Sequence, residues 1–304
     1  MKDLITLKDW TQDEINHIID ESIKIKFNPK HYLDSLKGKT LLMIFEKPSL
    51  RTRLSFEAAM AKLGGSAVFY DLNNAPLKKG ESWEDTIGVI SRYYDFIMAR
   101  LFNHDLAKKI AKNSTIPFIN GLTDFNHPMQ VLADLLTIKE KFNNIEKLNI
   151  SYFGDANNNY THSLIYGLSK YNVNFSIVCP PKEDYMPNEI VMQHIKKNNK
   201  NKIKIIHNAN NIQNQDIIMT DTWMSYHIND KQKEQRQKDL KPYQINKEIM
   251  SKSSNGYFMH LMPAYRVQEV TTDIIDGKQS IIFDQAENRM WTSMAMLIYL
   301  SSKK

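Results

Sequence analysis

Cysteine is almost missing from this 304-residue chain. The one present, Cys179, sits in the apolar run 175–179. A lone thiol closes no intrachain disulfide, so a buried strand residue in a cytoplasmic protein is the expectation. Long apolar runs are missing too. Stretches such as 294–300 fall far short of the roughly 20 residues that cross a bilayer. The start, Met1-Lys2-Asp3-Leu4, lacks the basic-then-apolar order of a secretion signal, and no membrane partner is expected. Gly154 has no G-x-G-x-x-G spacing around it, which leaves a dinucleotide unsupported. The net charge of +6 would attract polyanions, yet the basic residues are spread widely. The densest cluster, Lys196 to Lys202, has no interleaved aromatics and reads as a solvated helix end. A small anionic substrate is favoured over nucleic acid.

What is present is organised around Phe45-Glu46-Lys47-Pro48-Ser49-Leu50-Arg51-Thr52-Arg53. The apolar run 41–45 reads as a buried strand. Past Pro48 the spacing turns helical, with Leu54, Ala58, Met60 and Leu63 apolar. A helix N-terminus with its free N–H groups therefore meets two hydroxyls and two guanidinium groups, which suits a doubly charged phosphate. For the motif alone, a Ser-capped surface helix with solvated arginines is an equal reading.

The rest of the chain bears on that choice. Thr11-Gln12-Asp13-Glu14 is a capping box that opens an amphipathic helix carrying Ile15, Ile18, Ile19 and Ile23. Strands are expected at 40–45, 66–70, 95–98 and 116–119, with helical stretches between them, notably 56–63 and 83–94. A helix from about 127 to 142 follows. The pattern then restarts with strands at 148–153, 174–178, 203–206, 216–219, 256–262 and 280–283. A helix at about 162–170, a polar loop at 229–243 and a final apolar helix near 290–300 complete the chain. Alternation of this kind predicts two doubly wound α/β domains with parallel sheets, and ligands at the carboxyl ends of the strands. Those ends deliver Arg100, His127 and Gln130 in the first half. In the second they deliver Asp155 and Asn159, Asp221, Trp223 and Ser225, His260 to Pro263, and Asp284 to Arg289.

The first motif, with His127-Pro128-Met129-Gln130, Gly154-Asp155 and Asn158-Asn159, Asp221-Thr222-Trp223, His260-Leu261-Met262-Pro263 and Phe283-Asp284-Gln285-Ala286-Glu287-Asn288-Arg289, resembles the aspartate/ornithine carbamoyltransferase family. The motifs stand in family order from about residue 40 to 300, nearest the ornithine-using branch. The resemblance implies an enzyme with a cleft between its two domains. Residues 1–142 would bind carbamoyl phosphate, with helix 287–304 packing back on them, and 143–286 would bind the amino acid. Ornithine would attack carbamoyl phosphate to give citrulline and phosphate, in arginine biosynthesis, without metal or organic cofactor. A cytoplasmic homotrimer is implied, in which loop 77–82 completes a site at the subunit interface.

Family positions assign phosphate to Ser49, the Leu50 N–H, Arg51 and Thr52, with Arg53 behind them. The carbonyl oxygen falls to Arg100, His127 and Arg289, where negative charge develops in the transition state. The carbamoyl NH2 goes to Gln130 and the Met262 carbonyl. Asn159, Asp221, Ser225 and the Tyr226 backbone fall at the ornithine positions, and Leu261 stands where a cysteine is usual. Aspartate-specific relatives carry arginine in place of the Asn158-Asn159 pair. Leu261, Tyr226-His227 for Met-Gly, Pro76 for glutamine and Leu50 for threonine are departures. They keep another amine, such as putrescine or an acylated ornithine, open as substrate. A non-catalytic carbamoyl phosphate-binding paralogue is opposed by the complete set Arg51, Arg100, His127 and Arg289.

Overall fold

Short runs of β-branched and aromatic residues pair in register as two wholly parallel sheets. The computed structural model describes residues 2–74, 80–197, 202–224 and 228–302. Two compact units result, one of Met1–Leu136 with Glu287–Lys304, the other of Thr137–Ala286.

In the first unit the strands are β1 (Thr40–Phe45), β2 (Ser66–Asp71), β3 (Phe96–Arg100) and β4 (Phe118–Leu122), in the order β2-β1-β3-β4. The chain steps outward from β1 to β2 and then returns across β1 to β3. The carboxyl ends of β1 and β3 therefore border a switch point, where crossover loops part and leave a crevice. Helix α1 (Gln12–Phe27) starts at the expected capping box, with Thr11 and Glu14 bonded reciprocally. Helix α2 (Leu50–Lys62) follows β1, α3 (Trp83–Tyr93) precedes β3, α4 (His104–Asn113) follows it, and α5 (Pro128–Phe142) follows β4. Leu42, Ile44, Ile97 and Phe118 bury one sheet face against Ile87 of α3 and Ile110 of α4. Each such side chain contributes about 1.5–3 kcal/mol relative to exposure.

In the second unit β5 (Asn149–Phe153), β6 (Asn174–Val178), β7 (Lys202–Ile206), β8 (Ile217–Thr220) and β9 (Tyr257–His260) take the order β7-β6-β5-β8-β9. Here the switch point lies between β5 and β8. Its helices are α6 (Asn159–Leu168), α7 (Glu189–Lys197), α8 (Lys233–Leu240), α9 (Lys247–Ser251) and α10 (Thr272–Ile275); α11 (Ile282–Ser301) closes the chain. Phe153, Val178, Ile218 and Phe258 form its core with Ile245 and Ile282. Among the described residues no helix is long and apolar enough to cross a membrane.

Three expectations need correction. The run 280–283 is no strand: Ser280 makes one isolated bridge to Phe258, and Ile282 already opens α11, because the β-branched pair Ile281-Ile282 serves the core as a helix entry. The polar stretch 229–243 holds α8, a helix whose burial rests on Arg236 and Leu240 rather than on an apolar stripe. Leu54, counted on the apolar face of α2, is 52% exposed; the buried face is Thr52, Ser55, Phe56, Ala59 and Met60.

Candidate active site

In the first unit the candidate residues gather at the β1–β3 switch point. Ser49 caps α2, its hydroxyl accepting from the Thr52 N–H. Glu46 pins the neighbouring strand end: its N–H donates to the Arg100 carbonyl at 2.9 Å, and its carboxylate accepts from the Phe102 N–H at 2.8 Å. Arg100 ends β3 at a register shift against β4, the kind of irregularity that re-aims a side chain at a strand end. The fully buried Thr52 hydroxyl is the meeting point. It accepts from Arg289 Nη2 at 2.8 Å and from Ser49 Oγ at 3.1 Å, and Arg100 Nη1 reaches it at 3.4 Å. A threonine on α2 thus gathers one arginine from β3 and one from α11.

Electrostatics at this point are dominated by positive charge, with the buried carboxylate of Asp134 opposing it at Arg289. Burial, and then Arg100 and Arg51, pull Arg289 down to about 9, so it remains cationic at neutral pH. His127, wholly buried just before α5, is held well below its ordinary value by burial and by Arg289, Arg100 and Lys47. It is therefore a neutral imidazole at neutral pH. Lys47 is itself buried, its ammonium 5.5 Å from the centre of the Phe102 ring. Gln130 turns its amide nitrogen to Asp134 Oδ1 at 3.0 Å, which leaves its buried carbonyl oxygen with no hydrogen-bond partner among the described residues. Cations and N–H groups for a dianion, a neutral imidazole, and an acceptor for an NH2 group therefore share one neighbourhood. Arg53 differs, pairing with Glu57 at 2.8 Å and stacking on Phe69. The Leu50 side chain is 68% exposed, so only its backbone can serve at the helix start.

In the second unit, Asp221 follows β8 directly, and burial raises its carboxyl to about 6 against the pull of His260. The Asp155 and Glu269 carboxylates push in the same upward direction. Asn158 caps α6 through the Thr161 N–H and donates to the Asp155 carbonyl at 2.6 Å, and Asn159 is the first residue of that helix. His260 accepts at Nδ1 from the Met262 N–H at 2.9 Å, so Nε2 carries the proton and donates to Glu269 Oε1 at 3.2 Å. This pair holds Met262 in a left-handed backbone conformation, φ 59°, next to the half-buried Leu261. Ser225 and Tyr226, with His227, lie outside the described residues, as do Pro76 and Leu77 to Lys79 of loop 77–82. Asp134, Glu269 and Arg236 did not emerge from the sequence. Each is a charged residue in a helix or loop that no motif singles out, and only its burial marks it out.

Two family models account for nearly all of the chain. Residues 2–140 match the carbamoyl-P binding domain of aspartate/ornithine carbamoyltransferase, and residues 146–300 match its Asp/Orn binding domain. The chain belongs to the aspartate/ornithine carbamoyltransferase family. Within it, an ornithine carbamoyltransferase of Bacillus cereus is 42% identical over 304 residues, which covers 98% of this chain and 94% of that protein. The anabolic ornithine carbamoyltransferase of Pyrococcus furiosus is 41% identical, with 97% and 95% covered. Among solved structures, the anabolic ornithine carbamoyltransferase of Campylobacter jejuni superposes with a TM-score of 0.92 at 32% identity, covering both chains fully. That of P. furiosus superposes at 0.90 with 40% identity, over 97% of this chain and 96% of that one. Membership makes this chain a carbamoyltransferase with two parallel-sheet α/β domains.

The charge clustering has a cost that can be measured. Replacing Arg289 by methionine removes a buried cation held against its like-charged neighbours. Relief from Arg100 and Arg51 is set against loss of the opposing Asp134 and of the Thr52 hydrogen bond, so the ligand-free variant is expected to unfold in urea within about 1 kcal/mol of the unmodified protein. Stabilisation by inorganic phosphate should vanish in the same variant. A destabilised variant that phosphate still stabilises would contradict this reading of the site.

Proposed function

We propose that this carbamoyltransferase moves the carbamoyl group of carbamoyl phosphate onto the δ-amine of L-ornithine, giving L-citrulline and phosphate. The observation that carries the reading is the Thr52-centred gathering of Arg100 and Arg289 at the start of α2, with the spare carbonyl of Gln130 nearby. In this reading Ser49, the Leu50 N–H, Arg51 and Thr52 hold the phosphate. Arg100, His127 and Arg289 face the carbamoyl oxygen. Gln130, with the Met262 carbonyl, takes the carbamoyl NH2. The neutral amine adds to the carbonyl carbon, and the oxygen gains charge that prepositioned donors stabilise. The C–O bond to phosphate then breaks as the intermediate collapses, and the nitrogen releases its extra proton. A neutral His127 donates a hydrogen bond there without adding to the crowding of cations.

Residues 1–142 with 287–304 are assigned to carbamoyl phosphate, and 143–286 to the amine. Asp221 and Asn159, with Ser225 and the Tyr226 backbone, are assigned to the α-ammonium and α-carboxylate. No arginine stands at 158–159, which suits an uncharged or cationic side chain on the substrate. Leu261 presents alkyl surface in place of a thiol. A cytoplasmic homotrimer serving arginine biosynthesis completes the proposal.

The deciding experiment offers ornithine, putrescine, N-acetylornithine, lysine and aspartate in turn and follows phosphate release from carbamoyl phosphate. Ornithine is expected to have the highest kcat/KM. Preference for putrescine or the acylated amine would move the assignment to that substrate, and no release with any amine would remove the catalytic reading. A pH profile tests Asp221 separately. The group is ionised above about 6 and protonated below it, so kcat/KM for ornithine should gain an extra unit of slope as the pH falls through 6. That slope should be absent in Asp221→Asn. A slope unchanged from pH 7.5 to 5 would remove Asp221 from ammonium binding.

A further inference from the structure

The switch point between β5 and β8 is spanned by a side chain that no substrate role accounts for. Arg236 of α8 is 7% exposed and reaches three segments at once. Its Nη2 pairs with Asp155 Oδ2 in the loop after β5. Its Nε donates to the Trp223 carbonyl, two residues beyond Asp221 in the loop after β8, at 3.1 Å. Its guanidinium plane lies 4.9 Å from the Tyr185 ring centre. Tyr185 in turn donates to Asp239 Oδ2 at 3.0 Å, and Lys182 pairs with the other oxygen of Asp239 at 2.6 Å, so α8 and the 182–185 segment are tied together beside Arg236. Trp223, Tyr185 and Leu240 close over this as a small apolar cluster.

Asp155 repays the connection on its own side. Its Oδ1 accepts from the Asn157 N–H at 2.9 Å, and its carbonyl accepts from Asn158 Nδ2 at 2.6 Å and from the Tyr152 hydroxyl at 2.8 Å. The loop that ends in Asn159 is thus shaped around Asp155. The loop that carries Asp221 is tied to the same guanidinium through Trp223.

We propose that Arg236 is the positioning residue of the amine half of the site, stapling the Asn158-Asn159 loop to the Asp221 loop across the β5–β8 switch point. This rests on the proposed assignment of Asn159 and Asp221 to the amine substrate. A planar fork that engages a carboxylate and a carbonyl in two directions explains why arginine, and not lysine, is built in here. Arg236 also neutralises Asp155. Without it a second buried carboxylate would stand uncompensated in the surroundings of Asp221, together with Glu269.

The test compares Arg236→Met, Arg236→Lys and the double variant Asp155→Asn/Arg236→Met with the unmodified full-length protein. Measured quantities are KM for the amine, kcat, the acid limb of kcat/KM, and calorimetric affinity for inorganic phosphate. In Arg236→Met the amine KM is expected to rise at least tenfold, and the acid limb to move above pH 6. Phosphate affinity should stay within twofold, which shows that the first unit is intact. Arg236→Lys should recover part of the KM, since it keeps charge and loses the fork. The double variant should return the acid limb toward 6 while KM stays high. An amine KM within twofold in Arg236→Met, or phosphate affinity falling in parallel with it, would overturn the proposal. The series is run with ornithine and with whichever amine the unmodified protein uses best. Preference for another amine then overturns the ornithine reading alone, while the KM effect on that amine still decides the role of Arg236.

Discussion

Like charge held together in a dry place is the constraint on which the rest of this protein depends. Lys47, Arg51, Arg100 and Arg289 all bear on the ground around Thr52 and His127, and burial, with their repulsion added to it, depresses the values of Arg289 and His127. Folding alone would not select such an arrangement, because burying cations beside one another opposes stability. It becomes favourable when a dianion arrives, since the same low dielectric that sharpens repulsion then sharpens attraction. The chain supports it with rigid parts: a capped helix start, a strand end fixed through Glu46, and a buried threonine hydroxyl as the common acceptor.

Topology decides where this happens. Each sheet has one place where the chain reverses its direction of build, between β1 and β3 in one unit and between β5 and β8 in the other. The phosphate-type residues come from the first place, and Asp221 with the Asn158-Asn159 loop from the second. The two use opposite electrostatics. The first accumulates cations for an anion, and the second buries a carboxylate whose raised value, about 6, keeps it ionised at neutral pH yet within reach of protonation.

Most of the strands were legible because apolar runs of four to six residues alternate with helical spacing, and the strand-end motifs stood in plain sequence. The residues that the sequence singled out, Ser49 to Arg53, Arg100, His127 and Gln130, share a feature: each sits at a strand end or helix start, where position along the chain already states position in space. Asp134, Glu269 and Arg236 were not legible, because their importance comes from partners 4, 9 and 81 positions away that only the fold reveals. The stretch holding α8 misled for a related reason. Its burial is achieved by an arginine bonded on several sides, and a polar composition gives no sign of that. Residues 280–283 misled in the opposite sense, since β-branched apolar residues also suit the buried entry of a helix.

Turnover of Arg100→Ala at saturating carbamoyl phosphate and ornithine tests the central claim most directly. If the gathered cations exist to stabilise charge on the carbamoyl oxygen, kcat falls by about 10²–10³, the range for loss of one oxyanion donor. A kcat within a few-fold of the unmodified enzyme would contradict the account, leaving the cluster as a phosphate anchor without a role in the chemical step.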